Sequence, residues 1–394
     1  MPPSRFILPV IVVSQFFCTS LWFAGNGVIN ELVTEFDLNV SALSHLTSAV
    51  QLGFITGTLL FAVLTIADRF SPSKVFLICA LTGALSNLGT ILDGGSFVSL
   101  FFFRFATGLF LAGIYPVGMK IAADHFQNGL GRSLGYLVGA LVVGTALPHL
   151  LKEFTAQLPW RVVLISTSSL AACGGLMMFL IVPDGPFRKA GQQPDFTAFR
   201  KVFEKREFRS AAFGYFGHMW ELYAFWSFVP VILNSFVKFY PQANFNVPVL
   251  SFIIIGMGGV ACVLGGYFAQ TMGTKRTAFA ALFLSCVCCL FSPVVFMTGI
   301  PSVMVVFLIF WGMMVVADSP LFSTLVAQYA QAEFKGTALT IVTSIGFAIT
   351  IGSIQLIGFL LERMNPVYVF MILAVGPVFG LLALRTSGTG TISS

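Results

Sequence analysis

Residues 64–74 read Leu64-Thr-Ile-Ala-Asp-Arg-Phe-Ser-Pro-Ser-Lys74, a short polar turn between two long apolar runs, Ser44 to Ala67 and Val75 to Leu92. A related turn returns much later as Gly266-Tyr-Phe-Ala-Gln-Thr-Met-Gly-Thr-Lys-Arg276, again closing on basic residues. A second pair, Ala112-Gly-Ile-Tyr-Pro116 and Val316-Ala-Asp-Ser-Pro320, is separated by 204 residues. Features that recur in order at this spacing imply a duplicated unit, and in apolar chains such repeats commonly hold a solute site at their junction near mid-membrane.

The composition around these turns excludes a soluble fold. Of 394 residues 57% are hydrophobic and 9% charged, with 44 Phe and a mean hydropathy of +0.92. A water-covered surface needs about one-quarter charged residues. Apolar runs of about twenty residues, each enough to cross a bilayer as helix, recur too often for a buried core. Twelve spans follow: Phe6 to Ile29, Ser44 to Ala67, Val75 to Leu92, Phe97 to Ala123, Leu134 to Leu151 and Val162 to Val182, then Ala211 to Val237, Val247 to Gln270, Thr277 to Met297, Val303 to Ala327, Thr337 to Leu361 and Val367 to Leu384. Continuous hydrophobicity with internal Gly and Pro selects helices over barrel strands, which would alternate. The first run continues to Ile29 without a small-residue cleavage site and reads as a retained span.

The long hydrophilic stretch from Pro183 to Arg209 divides the chain. The expected organisation is a six-helix bundle over 1–182, a linker over 183–210 and a second six-helix bundle over 211–394, an all-α integral membrane protein of two pseudo-symmetric bundles. In the linker, Phe196, Phe199 and Phe203 fall at helical spacing among Arg200, Lys201, Lys205 and Arg206, which suits either a surface helix or a solvated connection. Fifteen Lys and Arg lie on the face holding the linker and four on the other. This bias makes the linker face and both termini cytoplasmic. Short loops suggest a bacterial inner membrane.

Net charge is +6, yet the 21 Lys and Arg are dispersed between apolar runs, which argues for loop placement over nucleic-acid binding. The seven Cys lie inside apolar segments and read as small packing residues. No metal site or cofactor is expected, and the chain is taken as a monomer in lipid.

With its twelve spans, its division in half and its turn after the second span, the chain resembles the major facilitator superfamily over nearly its whole length. That family's turn is Gly-x-x-x-Asp-Arg-x-Gly-Arg-Arg; here Asp68, Arg69 and Lys74 match, while Leu64, Ser71, Pro72 and Ser73 depart. The later copy keeps Gly266, Gly273, Lys275 and Arg276 and has Gln270 in place of the acid. Arg104 followed by Gly108 matches a fourth-span feature, whose Arg the resemblance links to coupling. The Gly-Pro-x-x-Gly-Gly pattern of proton antiporters is absent from span five; its Gly135, Gly139 and Gly144 read as close helix packing.

Polar residues inside spans carry the functional information, because a charge at the membrane centre costs about 2.5–3.5 kcal/mol on insertion scales. Glu221 lies mid-span in Gly217-His-Met-Trp-Glu-Leu-Tyr-Ala-Phe-Trp226, with His218 on a neighbouring face position. A carboxylate sheltered from water holds its proton more tightly, as a proton-coupled carrier requires. Asp318 stands beside Ser319 and Pro320, where the proline permits a bend. Glu221, Asp318 and His218 are the proton-coupling candidates, each weighed against a structural hydrogen bond between helices.

Arg104 and Tyr115 share a stripe of span four, and Arg104 suits either an anionic solute or a neighbouring carboxylate. Gln15, Trp22 and Asn26, with Thr19, share a stripe of span one; Gln51, Gln355 and Trp311 are companions. These are the solute-binding candidates, against interhelical bonding. Tyr223 and Trp226 fall about 200° and 140° around the helix from Glu221, away from its surface. Asp68 and Arg69 fit a latch at the end of span two, or for Arg69 simply a topological signal.

The expected function is a secondary active transporter working by alternating access, taking up a small polar or anionic organic solute by proton symport. The competing readings are a proton-coupled exporter of cationic or amphipathic compounds and a membrane receptor that moves nothing. An enzyme is not expected, because the four His are scattered over separate spans and no extramembranous segment is long enough to form a catalytic domain.

Overall fold

The structure, a computed structural model, describes residues 6–39, 41–92, 96–126, 130–188, 203–330 and 335–386. Among these residues there are helices and turns and no strand. Eleven helices are long and apolar enough to cross a membrane. Together with the shorter Ile7–Thr19 (α1) they account for every expected span: Ala42–Val63 (α2), Pro72–Ile91 (α3), Phe97–His125 (α4), Ser133–Phe154 (α5), Arg161–Ile181 (α6), Arg206–Phe239 (α7), Val247–Met272 (α8), Thr274–Met297 (α9), Pro301–Tyr329 (α10), Thr337–Leu361 (α11) and Pro366–Arg385 (α12). Leu85, Phe102, Phe379 and Leu180 are more than 60% exposed on the outer sides of their helices. Apolar surface of this kind is stable only against hydrocarbon.

The first span is broken where sequence suggests continuity. After Thr19 the chain turns through Ser20–Phe23, resumes as Ala24–Gly27 and continues as Ile29–Glu35. Gly25 and Gly27 weaken the helix there, and Gly27 packs so closely on Pro148 of α5 that a methyl would sit 3.0–3.1 Å from it. The two Pro-containing copies break their spans at matching points: α4 between Leu111 and Tyr115, α10 at Asp318. In each case proline stands in the first turn of the second piece and supplies no N–H to the helix before it. The two polar turns are less alike, since the first contains a short helix, Ile66–Arg69, entered through Thr65 at φ 48°, and the second turns at Gly273, φ 86°.

Helices of the first half pack mainly on one another, as do those of the second, and two seams join the sets: α5 against α8, and α2 against α11. Gly139 and Gly259 bring the α5 and α8 backbones together, each glycine's missing methyl standing 3.0–3.2 Å from the other's carbonyl oxygen. Gly144 packs instead on α1, while Gly135 faces open space. At the other seam Gln355 donates to Ser44 O (3.1 Å) and Ser48 Oγ (2.8 Å). The linker residues Phe196, Phe199, Arg200 and Lys201 lie outside the described residues, as does the Asp68 side chain; Arg69 ends its short helix on the protein surface.

Candidate functional site

An aromatic cluster lies where the halves meet. Trp22, from the break in the first span, stacks on Tyr223 of α7 (centroids 5.6 Å) and Phe347 of α11 (5.7 Å) and tilts over Phe54 of α2 (4.8 Å). Phe54 and Phe347 are 4.4 Å apart, and Trp226 meets Tyr223 at 5.2 Å and the edge of Phe23 at 6.4 Å. All six rings are buried. The indole nitrogens of Trp22 and Trp226 are buried without a hydrogen-bond partner among the described residues. Unpaired buried donors are uncommon and ask for an explanation.

Arg104 supports this cluster from beneath. Its guanidinium donates to Leu21 O (3.3 Å), Trp22 O (2.5 Å) and Asn87 Oδ1 (3.2 Å), and it is 2% exposed. The broken span leaves carbonyls without helical donors, and a fork of rigid N–H groups answers several at once. Asn87 in turn donates to Leu164 O, Thr167 and Ser168 of α6. Arg104 therefore engages carbonyl oxygens here rather than the carboxylate the sequence offered as one partner.

Among the described residues, the two buried acids of the second half are Glu221 on α7 and Asp318 at the break of α10, and α9 and α10 supply the donors around Glu221. Glu221 accepts hydrogen bonds from Ser285, from Cys289 Sγ (3.2 Å) and from Trp311 Nε1 (2.6 Å). Phe225 lies over Trp311 at 4.5 Å and closes the pocket from the next turn. His218 does not join Glu221. Its Nδ1 stands 2.8 Å from Asp318 Oδ1, at ion-pair distance though not aligned as a hydrogen bond, and both side chains are 1% exposed. Asp318 marks the break in α10 and does not cap the following piece, which leaves its carboxylate turned to His218.

The remaining candidates are spread. Asn26 donates to Thr47 Oγ1 (2.9 Å). Gln15 and Gln51 are fully buried, with no partner for either amide atom among the described residues. Gln15 packs on Gly118 of α4, away from the rings. Gln51 lies one turn from Phe54, and Tyr115 is half-buried at the start of the second piece of α4.

Two cavities lie apart from the rings, none of which lines either. One of about 230 Å³ opens on the face of the Ile29–Glu35 helix and includes Asn26, His149 and Asn234. The other, of about 430 Å³ and lined by apolar groups such as Val263, Tyr267 and Leu321, lies between α5, α8 and α10. Glu221 lines neither. Tyr223 and Trp226 diverge from Glu221 around α7, as their angular spacing implies, and that angle turns them toward the other half. The stripe containing Trp22 was the available signal.

A family model described as Major Facilitator Superfamily matches residues 11–353. No curated protein matches the chain. Among solved structures, the human organic anion transporter MFSD10 (TETRAN) aligns with TM-score 0.74 at 16% identity, covering 98% of this chain and 100% of the other. The nucleoside transporter NupG, in a point-mutant form, aligns with TM-score 0.73 at 16% identity over 96% and 99%. The proton:xylose symporter XylE aligns with TM-score 0.72 at 14% identity over 96% and 94%. At these identities the likeness concerns the fold.

Proposed function

The chain belongs to the Major Facilitator Superfamily, a membrane transporter and not an enzyme, and on that premise we propose that it takes up a small polar solute with protons by alternating access. The division is a bundle over 1–182, a cytoplasmic linker over 183–210 and a bundle over 211–394, set in a bacterial inner membrane with both termini inside. The solute passes between the halves at the ring cluster, which must open to admit it. Trp22, Asn26, Gln51, Gln355 and Tyr115 are its candidate contacts, joined by Tyr223 and Trp226; Gln15 and Trp311 support from behind.

One observation carries the reading: α7 holds Glu221 and His218 against α9 and α10, and holds Tyr223 and Trp226 against α2, α11 and the broken first span. A proton arriving at Glu221 removes an acceptor site from a carboxylate that already serves three donors. That loosens α7 from its neighbours, and the opposite face of the same helix moves the rings. His218 and Asp318 add a second exchangeable contact at the bend of α10, and Asp68 with Arg69 latches the linker face. A neutral solute is favoured over an anion because Arg104 is engaged by three oxygens.

The test is solute accumulation in liposomes under an imposed pH gradient. Uptake driven by an alkaline interior and lost in Glu221→Gln supports the reading; uptake that is the same with and without the gradient in both proteins contradicts it. The apolar cavity of about 430 Å³ favours the second reading, export of an amphipathic compound. Acid-interior accumulation of such a compound would decide for it.

A further inference from the structure

The cavity on the face of the Ile29–Glu35 helix differs in chemistry from everything around it. Asn26, Asn30, His149, Ser227, Asn234 and Ser251 line it, from the first span, α5, α7 and α8. Its charges cancel: Lys152 is ion-paired with Glu31 at the rim, both partly exposed. A free anion finds its cation engaged, and a free cation finds its acid engaged.

The uncharged groups have a definite donor and acceptor sense. Ser227 donates its hydroxyl proton to Tyr223 O (2.6 Å), and Ser251 donates to Val247 O (2.7 Å). Each hydroxyl therefore presents lone pairs to the cavity. The amides of Asn30 and Asn234 stand exposed and offer both donors and acceptors. His149 is 4% exposed, and its Nε2 has no hydrogen-bond partner among the described residues. His149 lines this cavity with its buried Nε2 unsatisfied among the described residues, and an incoming hydroxyl group would supply the missing partner. Pro148 holds His149 in place, since its ring is pressed against Gly27 of the first span.

Mixed donors and acceptors without net charge match hydroxyl groups, each of which both gives and takes a hydrogen bond. The volume, about 230 Å³, falls below the roughly 300 Å³ at which pockets for drug-sized ligands begin. Leu43, Pro230, Val231 and Val247 complete the lining and give an apolar surface for C–H groups.

We infer that this cavity is a docking site for a small uncharged hydroxyl-rich molecule of the sugar or polyol class, with His149 as a specificity-determining residue. The inference rests on the transport reading above and deepens it by naming the class of solute.

The experiment is equilibrium binding of radiolabelled D-ribose and myo-inositol to the purified full chain in detergent, with no pH gradient. Saturable binding of at least one is expected, undisturbed by excess malate or choline. His149→Ala should weaken it about tenfold, the weight of one hydrogen bond, with His149→Gln recovering most of the loss. Asn234→Leu, at an exposed position, should weaken it several-fold and serves if His149→Ala fails to fold. Binding of neither probe overturns the inference, as do displacement by malate or choline and unaltered affinity in the His149→Ala and Asn234→Leu proteins. Because no gradient is applied, these results stand apart from proton coupling: a proton-driven flux of some other solute with no binding here defeats the docking site alone.

Discussion

Arg104 in the first half and Glu221 in the second are both charged groups at about 1–2% exposure inside the membrane, and each is met by three partners. The partners differ in kind. Arg104 is held by two backbone carbonyls and an amide oxygen, none of which exchanges a proton near neutral pH, and an arginine keeps its charge. Glu221 is held by a hydroxyl, a thiol and an indole N–H, all donors to a group that can itself take up a proton. The first arrangement is fixed scaffolding for the broken first span; the second is a contact that can be made and unmade. The halves repeat each other in helix number and in the breaks of α4 and α10, though α7 is continuous where the first span is broken; on the proposed reading, the motion that answers to protons begins in the second half.

The strongest challenge to that contrast is Glu221→Gln. Uphill solute accumulation should fall to the background of protein-free liposomes, while downhill exchange persists, as a paired flux assay would record. Arg104→Met should act on stability instead. It removes three hydrogen bonds from a charged donor, worth about 1.5–3 kcal/mol each, leaving Leu21 O only its long turn bond from Ala24 N–H (3.5 Å), and losses of about 3 kcal/mol or more should appear as a lower detergent melting temperature. Arg104→Lys should recover part of this, since an ammonium reaches fewer of the acceptors than a planar fork. If Glu221→Gln instead lowered the melting temperature most and left coupling intact, the two roles would have been exchanged.

Smaller effects sharpen the picture. Asp318→Asn keeps the shape at the bend of α10 and removes the charge facing His218. Transport should slow several-fold and its dependence on external pH should flatten, measured as initial rates across a pH series. Trp226→Phe keeps an aromatic ring while removing the indole's second ring and an N–H without a partner. Stability should fall by about 1–2 kcal/mol from the space left in the cluster, with no protein hydrogen bond lost, while solute affinity shifts a few-fold.

Much of the fold was legible in the chain because bilayer thickness imposes it: runs of about twenty apolar residues leave few alternatives. The paired prolines, Pro116 and Pro320, also carried their meaning, since both stand at helix breaks, whereas Pro148, Pro230 and Pro293 lie inside continuous helices. The break at Ser20–Phe23 was not legible, since what stabilises it is Arg104, more than eighty residues away. The facing of α7 was hidden for a related reason. In a soluble helix polarity marks the outer side, but in lipid both faces of Glu221's helix are built from apolar and aromatic residues. The angle between Glu221 and Tyr223 could be computed, and the identity of the neighbour on each side could not. His218 was expected beside Glu221 on sequence proximity; Asp318 lies nearer in space because α10 bends toward it.

The central claim is that a proton on Glu221 moves the halves through α7. The most direct measurement is the distance between spin labels at Phe70→Cys and Met272→Cys, both exposed and on opposite halves, with Cys173→Ser leaving six buried native cysteines. The account predicts that the distance distribution shifts between acid and alkaline pH and that Glu221→Gln holds it in the acid form at every pH. An unchanged pH response in the Glu221→Gln protein would contradict it.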